Sequence, residues 1–153
     1  PPSRPPALCH HDFEYDNLVL RQQSPDGVVE EHDWELAKHG DPGADLGWTL
    51  ATWIEADDPP ALQAFGLTHL PGNPSRAELA QHYARASGSA PADPVFLYVA
   101  GLLRLAAVLQ QMYARFRRGE AGDARLERVI GLVHDVASQA DRAVRRDRLS
   151  AAR

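Results

Sequence analysis

One periodic segment constrains the fold of this chain more than any other feature. Between about residues 93 and 118, apolar side chains recur at alternating steps of four and three residues, the spacing of one face of an α-helix. That face consists of Tyr98, Leu102, Leu105, Leu109, Met112 and Phe116, and a second row of Val95, Val99 and Leu103 widens it. We therefore expect a long central helix, with its aromatic residues and its methionine in the core.

Further helices are predicted on both sides of it. Asp41 is a good cap for a helix that reaches about residue 54. Ser75 caps a helix that ends near Ala86, and Glu78 completes its capping box. A loop is predicted at 66–74. A last helix covers about 124–146, with an inward stripe of Leu126, Val129, Ile130, Val133, Val136, Ala137, Ala140 and Val144.

Composition narrows the class of protein. The 153 residues suffice for one domain with a core. The net charge of −5 disfavours nucleic acid as a partner and favours a cationic or metal-bridged ligand. No apolar run approaches the roughly 20 residues that span a membrane, and no signal peptide is evident, so we expect a cytoplasmic protein without a membrane partner. A single cysteine, Cys9, excludes an internal disulfide and is expected to be a small buried side chain.

A β-hairpin is predicted at residues 18–33. Apolar residues at 18–20 and at 28–29 flank the turn-forming sequence SPDG. The predicted fold class is therefore α+β and mainly helical. The tryptophans Trp34, Trp48 and Trp53 are expected in the core.

Histidines and carboxylates surround the hairpin, and zinc binding is one interpretation of them. The pairs HHD at 10–12 and HD at 32–33 are similar to the metal-binding pairs of helical phosphohydrolases. Those sites place the pairs on helices, whereas here both flank strand-like segments. Adjacent histidines on a strand point to opposite faces, so only one of His10 and His11 can easily join a shared site.

Spacing favours a second interpretation. His10 to Asn17 fits H-x-D-x-x-x-x-N, the pattern of a kinase catalytic loop, and Asp33 follows sixteen residues after Asn17. In such a site an aspartate accepts the proton of the attacking hydroxyl, while an asparagine oxygen and a second aspartate hold Mg²⁺ against the ATP phosphates. The hairpin would bring Asn17 and Asp33 close enough to share one ion.

The segments CHHDFEYDNLVL and HDWELAKHGDPGADLGW together resemble the C-terminal lobe of the aminoglycoside phosphotransferase and choline kinase-like family, by motif over about residues 8–56. The resemblance implies a protein-kinase-like C-terminal lobe with one β-hairpin that carries the catalytic loop. Residues 1–7 would be a linker or a truncated edge and 8–149 the lobe, with the catalytic loop and metal-binding hairpin at 8–35 and the helical part at 41–147.

The same resemblance assigns roles to individual residues. Asp12 would be the catalytic base, and His10 would buttress its loop. Asn17 and Asp33 would bind Mg²⁺ and, through it, ATP or another nucleoside triphosphate. Asp45 would brace the loop from behind, with Asp41 as further structural support.

The sequence departs from the family pattern in three ways. His11 replaces a glycine, and Glu30, Glu31 and His32 replace a typically apolar strand. No glycine-rich loop and no strand lysine precede Asp12, so the N-terminal nucleotide lobe is a missing partner and the fragment alone is expected to be inactive. A degenerate lobe that serves in binding or assembly is the alternative. The surface left by the missing lobe predicts self-association.

The substrate expected from the resemblance is a small molecule with a hydroxyl group. The acidic residues Glu35, Asp57 and Asp58 would favour one that also carries an amine, such as an aminoglycoside or choline. The sequence GDPGADLGW also resembles the kinase-like domains fused to acyl-CoA dehydrogenases, which implies a hydroxyacyl substrate instead.

Overall fold

The computed structural model describes residues 5–22, 24–64 and 66–150. Short strands come first along the chain: β1 (Ala7–Cys9), β2 (Leu18–Arg21), β3 (Ser24–Glu31) and β4 (Lys38–Gly40). The helices follow: α1 (Pro42–Thr52), α2 (Pro60–Gln63), α3 (Arg76–Ser87), α4 (Pro94–Arg117) and α5 (Val129–Arg146). Single 3₁₀ turns lie at Tyr15–Asn17, Trp34–Leu36 and Ala124–Arg128. The predicted α+β, mainly helical class is confirmed.

Side-chain caps determine where the helices begin. Asp41 accepts a hydrogen bond from the N–H of Gly43 at 2.8 Å at the start of α1. Ser75 and Glu78 form both bonds of the predicted capping box at the start of α3. Asp93 accepts from the N–H of Phe96 at 2.8 Å at the start of α4. Each cap satisfies an amide that the helix itself leaves unpaired.

Helices α1 and α4 cross with their backbones in direct contact. A Cβ added at Gly47 would lie 2.5 Å from the carbonyl oxygen of Leu97. A Cβ at Gly101 would overlap the carbonyl group of Gly47, 2.6 Å from its carbon. Glycine is therefore required on both sides of the crossing, which holds α1, and every side chain on it, close to the central helix.

The core lies on both sides of α4, which packs against α1 and α5. Tyr98, Leu102 and Leu109 are buried as predicted, but Leu103 is 62% exposed and Met112 is also exposed. Within the second row, Val95 and Val99 pack against the core and only Leu103 fails, because α1 and α5 leave that part of α4 uncovered. By length and composition alone, α4 would suffice to cross a membrane. The core helix of a globular domain can pass the same test.

The buried stripe of α5 is rotated from the prediction. Ala137 and Val144 are exposed. The side chains that face the core are Val129, Leu132, Val136, Gln139, Ala140 and Ala143. The sequence reading missed this register because a buried glutamine occupies one of its positions.

Two antiparallel sheets lie at the N-terminal end. Strands β2 and β3 form the predicted hairpin, but the chain reverses between the paired residues Arg21 and Ser24, so SPDG begins β3 and does not form the turn. Strands β1 and β4 form a second pair, in register from Ala7 opposite Gly40 to Cys9 opposite Lys38. That pair was not predicted. It brackets the segment that carries the predicted site residues, because β1 ends just before His10 and β4 begins after Asp33.

The cysteine and two of the three tryptophans were correctly predicted to be buried. Cys9 is fully buried, as predicted, and Trp48 and Trp53 are buried. Trp34 is 46% exposed, so its assignment to the core is wrong. It lies in a 3₁₀ turn after the hairpin and donates its indole N–H to the carbonyl oxygen of Glu31 at 2.8 Å.

Candidate active site

The loop after β1 is held from behind by one face of α1. The Asp45 carboxylate accepts hydrogen bonds from the backbone N–H of His10 at 2.8 Å and of His11 at 2.6 Å. One turn later, the Thr49 hydroxyl donates to the carbonyl oxygen of Phe13 at 3.0 Å. These are charge-assisted and neutral bonds from a rigid helix to the loop backbone. Asp45 therefore makes the bracing contact that the sequence resemblance implied.

His10 joins the loop to the end of the hairpin. Its Nδ1 accepts from the N–H of Asp12 at 3.2 Å, which assigns the ring proton to Nε2. Nε2 then donates to the carbonyl oxygen of His32 at 2.7 Å. The ring is buried and meets the Trp34 ring edge-on, with the ring centroids 4.7 Å apart. These contacts suit the buttressing role predicted for His10.

Both carboxylate oxygens of Asp12 are held in place. Oδ1 accepts from the indole N–H of Trp48 at 2.8 Å. Oδ2 accepts from the amide Nδ2 of Asn17 at 3.2 Å, and the same amide donates to the carbonyl oxygen of Asp12 at 2.8 Å. Each carboxylate oxygen has a second lone pair, so the group can still accept a hydrogen bond from a hydroxyl.

Asn17 and Asp33 lie at the open end of the hairpin. The carbonyl oxygen of Asn17 accepts from the N–H of His32 at 2.8 Å, so Asp33 follows directly after the pairing partner of Asn17. Because Nδ2 of Asn17 is bound to Asp12, its side-chain oxygen faces the other way. The Asp33 carboxylate is exposed and makes no hydrogen bond or ion pair within the described residues.

The side-chain oxygen of Asn17 and the carboxylate of Asp33 are ligand types that suit a magnesium ion. Mg²⁺ prefers hard oxygen ligands and is usually held by one or two protein groups together with substrate phosphates and water. No group of three or more His, Cys, Asp or Glu side chains in the described ranges is arranged to hold a metal. A fully protein-bound zinc site therefore has no support there, whereas a shared site of Asn17 and Asp33 needs no such cluster.

Backbone conformation at two loop residues is left-handed. His11 has φ +68° and Asp33 has φ +63°. This conformation explains why the family pattern has glycine at position 11, since a Cβ is disfavoured there. The His11 ring is nevertheless buried, and its Nε2 has no hydrogen-bond partner among the residues described. Burial lowers the pKa of His11, so the ring is neutral at pH 7.

Glu14 was not singled out by the sequence. Burial, with the nearby carboxylates of Asp12 and Asp16, raises its pKa to about 7. A carboxyl group that titrates near neutral pH beside Asp12 makes the charge of the loop sensitive to pH.

Trp48 is the second residue that sequence reasoning missed, because it was assigned only to the core. The guanidinium of Arg104 on α4 stacks over its ring, 4.1 Å from the centroid. Asp45, Trp48 and Thr49 stand at the helical spacing i, i+3 and i+4, which places them on one face of α1. That helical spacing, together with the D-x-x-x-x-N loop, was the sequence signal from which the contact of Trp48 with the loop could have been predicted.

The other predicted residues lie apart from this loop contact network. Glu35 and Asp57 are exposed, and Asp41 caps α1. Asp58 is buried at the C-terminal end of α1, where it binds the Arg76 guanidinium and accepts from Nε2 of Gln139 at 2.6 Å. Among the described contacts, Asp58 therefore binds none of the residues that hold Asp12.

Comparison with known proteins gives the family. Residues 1–82, just over half of the chain, match the model of the phosphotransferase enzyme family. The crystal structure of a protein from Ralstonia eutropha assigned to the aminoglycoside phosphotransferases superposes with a TM-score of 0.72 and 25% sequence identity. That match covers 90% of this chain and 43% of the other.

Two curated relatives are much longer than this chain. It is 32% identical over 138 residues to mouse acyl-CoA dehydrogenase family member 10, which is 88% of the chain and 13% of the relative. It is 30% identical over 120 residues to the chicken family member 11, which is 75% of the chain and 15% of the relative. Together with the matched family model and the shared fold, these likenesses lead to one conclusion: the chain belongs to the phosphotransferase enzyme family.

Proposed function

We propose that this chain is the C-terminal catalytic lobe of an ATP-dependent phosphotransferase that acts on the hydroxyl group of a small molecule. One observation carries the proposal. The Asp12 carboxylate is oriented by Trp48 and Asn17 on a loop braced by Asp45, and the backbone of Asn17 pairs with His32, the residue before Asp33. General bases and metal ligands need this kind of fixed placement.

Asp12 would accept the proton of the attacking hydroxyl. The hydroxyl oxygen forms a bond to the γ-phosphorus as the bond from that phosphorus to the bridging oxygen of ADP breaks. The proton passes to the Asp12 carboxylate, whose Oδ1 is held in place by the indole N–H of Trp48. In reactions of this class most of the catalytic effect comes from positioning and from charge stabilisation.

Asn17 and Asp33 would hold Mg²⁺, which when bound neutralises charge on the nucleotide phosphates. Through its amide nitrogen, Asn17 also ties that metal position to the base. The exposed carboxylate of Asp33 remains available on the open side of the hairpin.

The partner of this lobe would be a nucleotide-binding lobe packed on the hairpin. Apolar side chains on β2 and β3 are exposed, among them Leu20, Val28 and Val29, the last at 59%. Such a surface favours burial against another element. The chain also spans only 43% of the aligned phosphotransferase structure, which leaves room for that lobe. Without it, the same surface would favour self-association.

The substrate class divides into two candidates. The structural neighbour supports an amine-bearing alcohol, and the acyl-CoA dehydrogenase relatives support a hydroxyacyl compound. Asp58 is committed to Arg76, so it is withdrawn from direct recognition of an amine. Glu35, on the turn after Asp33, remains a candidate for that contact.

The test uses the full-length gene product with γ-labelled ATP and two sets of alcohols, aminoglycosides with choline in one and hydroxyacyl thioesters in the other. We expect labelled product from one set, complete dependence on Mg²⁺, and a loss of about 100-fold or more in Asp33→Asn. Glu30→Gln, an exposed acidic residue on β3, is the matched control and should keep wild-type activity.

Absence of transfer to both sets, with a folded protein, would refute the enzymatic proposal. That result would favour the alternative, a degenerate lobe that serves in binding or assembly. The left-handed backbone of His11, where the family pattern has glycine, is the structural observation that supports this alternative.

A further inference from the structure

A cavity of about 360 Å³ lies near the C-terminal end of α1, where the lining residue Arg76 donates to the carbonyl oxygen of Leu50. Its walls come from α2, the first turns of α3 and α4, the last turns of α5 and the segment 148–150. The volume falls in the range of small-molecule sites. Neither the proposed phosphotransfer reaction nor its metal ligands use any residue of this cavity.

Two buried polar atoms at this cavity lack partners. Tyr98 is 1% exposed and Gln139 is 5% exposed, and both line the cavity. The Tyr98 hydroxyl and the Gln139 oxygen Oε1 make no hydrogen bond to any described residue. Buried polar atoms are nearly always paired, because an unpaired one forfeits its hydration. Both atoms therefore lack the partner that a buried polar atom normally has, and both belong to residues that line the cavity.

Neighbouring contacts hold these two side chains in place. Nε2 of Gln139 donates to Asp58 at 2.6 Å, so Oε1 is turned away from that carboxylate. The Arg76 guanidinium stacks on the Tyr98 ring, 4.8 Å from its centroid, and binds Glu55 and Asp58. Burial raises the pKa of Tyr98, so the hydroxyl keeps its proton and can donate it. The residues that line the cavity thus supply one unpaired donor and one unpaired acceptor, on side chains that other contacts hold in place.

The charge of the cavity wall is positive although the chain as a whole carries −5. Four arginines and two aspartates line it: Arg76, Arg142, Arg146, Arg148, Asp57 and Asp58. Arg76 pairs with both Asp58 and Glu55, so these three buried groups together carry one negative charge, which the other arginines outweigh. Arg142 and Arg148 form no salt bridge within the part of the chain that the structure describes. The remaining excess favours an anion.

We propose that this cavity binds a small organic anion that carries a hydroxyl group. The ligand hydroxyl accepts from Tyr98 and donates to Oε1 of Gln139, and the anionic group binds the guanidinium of Arg142 or Arg148. A carboxylate and a phosphate share this chemistry, so the ligand is a hydroxycarboxylate or a phosphorylated polyol. The site is independent of the proposed function and would make the lobe responsive to a metabolite.

The test is calorimetric titration of the full-length protein, without divalent cations, with glycerate, glycerol 3-phosphate, inorganic phosphate and glycerol. We expect one of the first two to bind at least roughly tenfold more tightly than phosphate or glycerol. Which of the two binds identifies the anionic group. Equal affinity for inorganic phosphate, or no saturable binding of either hydroxylated anion, would overturn the proposal.

Variants locate the binding. Tyr98→Phe keeps the ring under Arg76 but removes the hydroxyl, and Arg142→Gln removes a charge from an exposed position. Each should weaken binding roughly tenfold. Arg145→Gln is the matched control, because Arg145 pairs with Asp141 outside the cavity, and it should leave the affinity unchanged. Unchanged affinity in Tyr98→Phe and Arg142→Gln would contradict the assignment.

Discussion

Replacing glycine by alanine should change the stability of the protein in opposite directions at two positions, one at the crossing of α1 and α4 and one on α5. A Cβ at Gly101 would lie 2.6 Å from the carbonyl carbon of Gly47 and 2.9 Å from the Cβ of Ala51. Ordinary contacts of this kind are about 3.3 Å or longer, so Gly101→Ala must push the helices apart by the order of 1 Å. Overpacking of a core costs about 1–3 kcal/mol, and the intrinsic gain of alanine over glycine in a helix offsets about 0.5–1 kcal/mol of that.

The control is Gly131→Ala on α5. No described atom outside its own helix lies within 4 Å of the position of that Cβ, so only the helix propensity changes. We expect Gly131→Ala to raise the free energy of unfolding by about 0.5–1 kcal/mol and Gly101→Ala to lower it by about 1–2 kcal/mol. Urea unfolding followed by tryptophan fluorescence would measure both. Equal stability of the two variants would refute the backbone contact, and with it the placement of Asp45 and Trp48 by α4.

Three further predictions concern the loop. Because φ is +68° at position 11, the His11→Gly variant should be more stable than His11→Ala by about 1 kcal/mol in urea unfolding, the reverse of the usual order. A more stable alanine variant would contradict the left-handed backbone. Because the pKa of Glu14 is raised from 4.5 to about 7 on folding, the folded state binds the extra proton and stability should fall as pH rises from about 5 to 7. Glu14→Gln should flatten that decline in a melting-temperature series, and an unchanged slope would exclude Glu14 as its source. Trp48→Phe removes the donor to Asp12 and should lower kcat on the order of tenfold with KM for ATP nearly constant, whereas a rise in KM alone would make Trp48 a purely structural residue.

Local signals explain what the sequence predicted well. Helix starts are set by side chains within three residues of the end, as at Asp41 and Ser75, so the observed bounds of α1 and α3 lie close to those expected. The spacing of Asp12 and Asn17 is likewise local, and the hairpin then places Asp33 beside Asn17 through the backbone bond from His32.

Contacts between distant residues explain what was missed. The bond from Trp48 to Asp12 spans 36 residues, and an indole looks the same in sequence whether it only packs or also donates. The pairing of β1 with β4 joins three-residue strands about 30 residues apart, too short for a periodic signal. Asp58 looked like surface charge, but Arg76 and Gln139 bind it in the interior.

The central claim is that Asp12 is the base of a phosphotransfer site. The most direct measurement is the rate of γ-phosphate transfer from ATP by the full-length gene product, compared with the rates of two single-substitution variants. Asp12→Asn keeps the shape of the side chain but cannot take the proton, so the rate should fall at least about 100-fold. Asp16→Asn, an exposed aspartate in the same loop, should stay near the wild-type rate. A wild-type rate in Asp12→Asn would contradict the account.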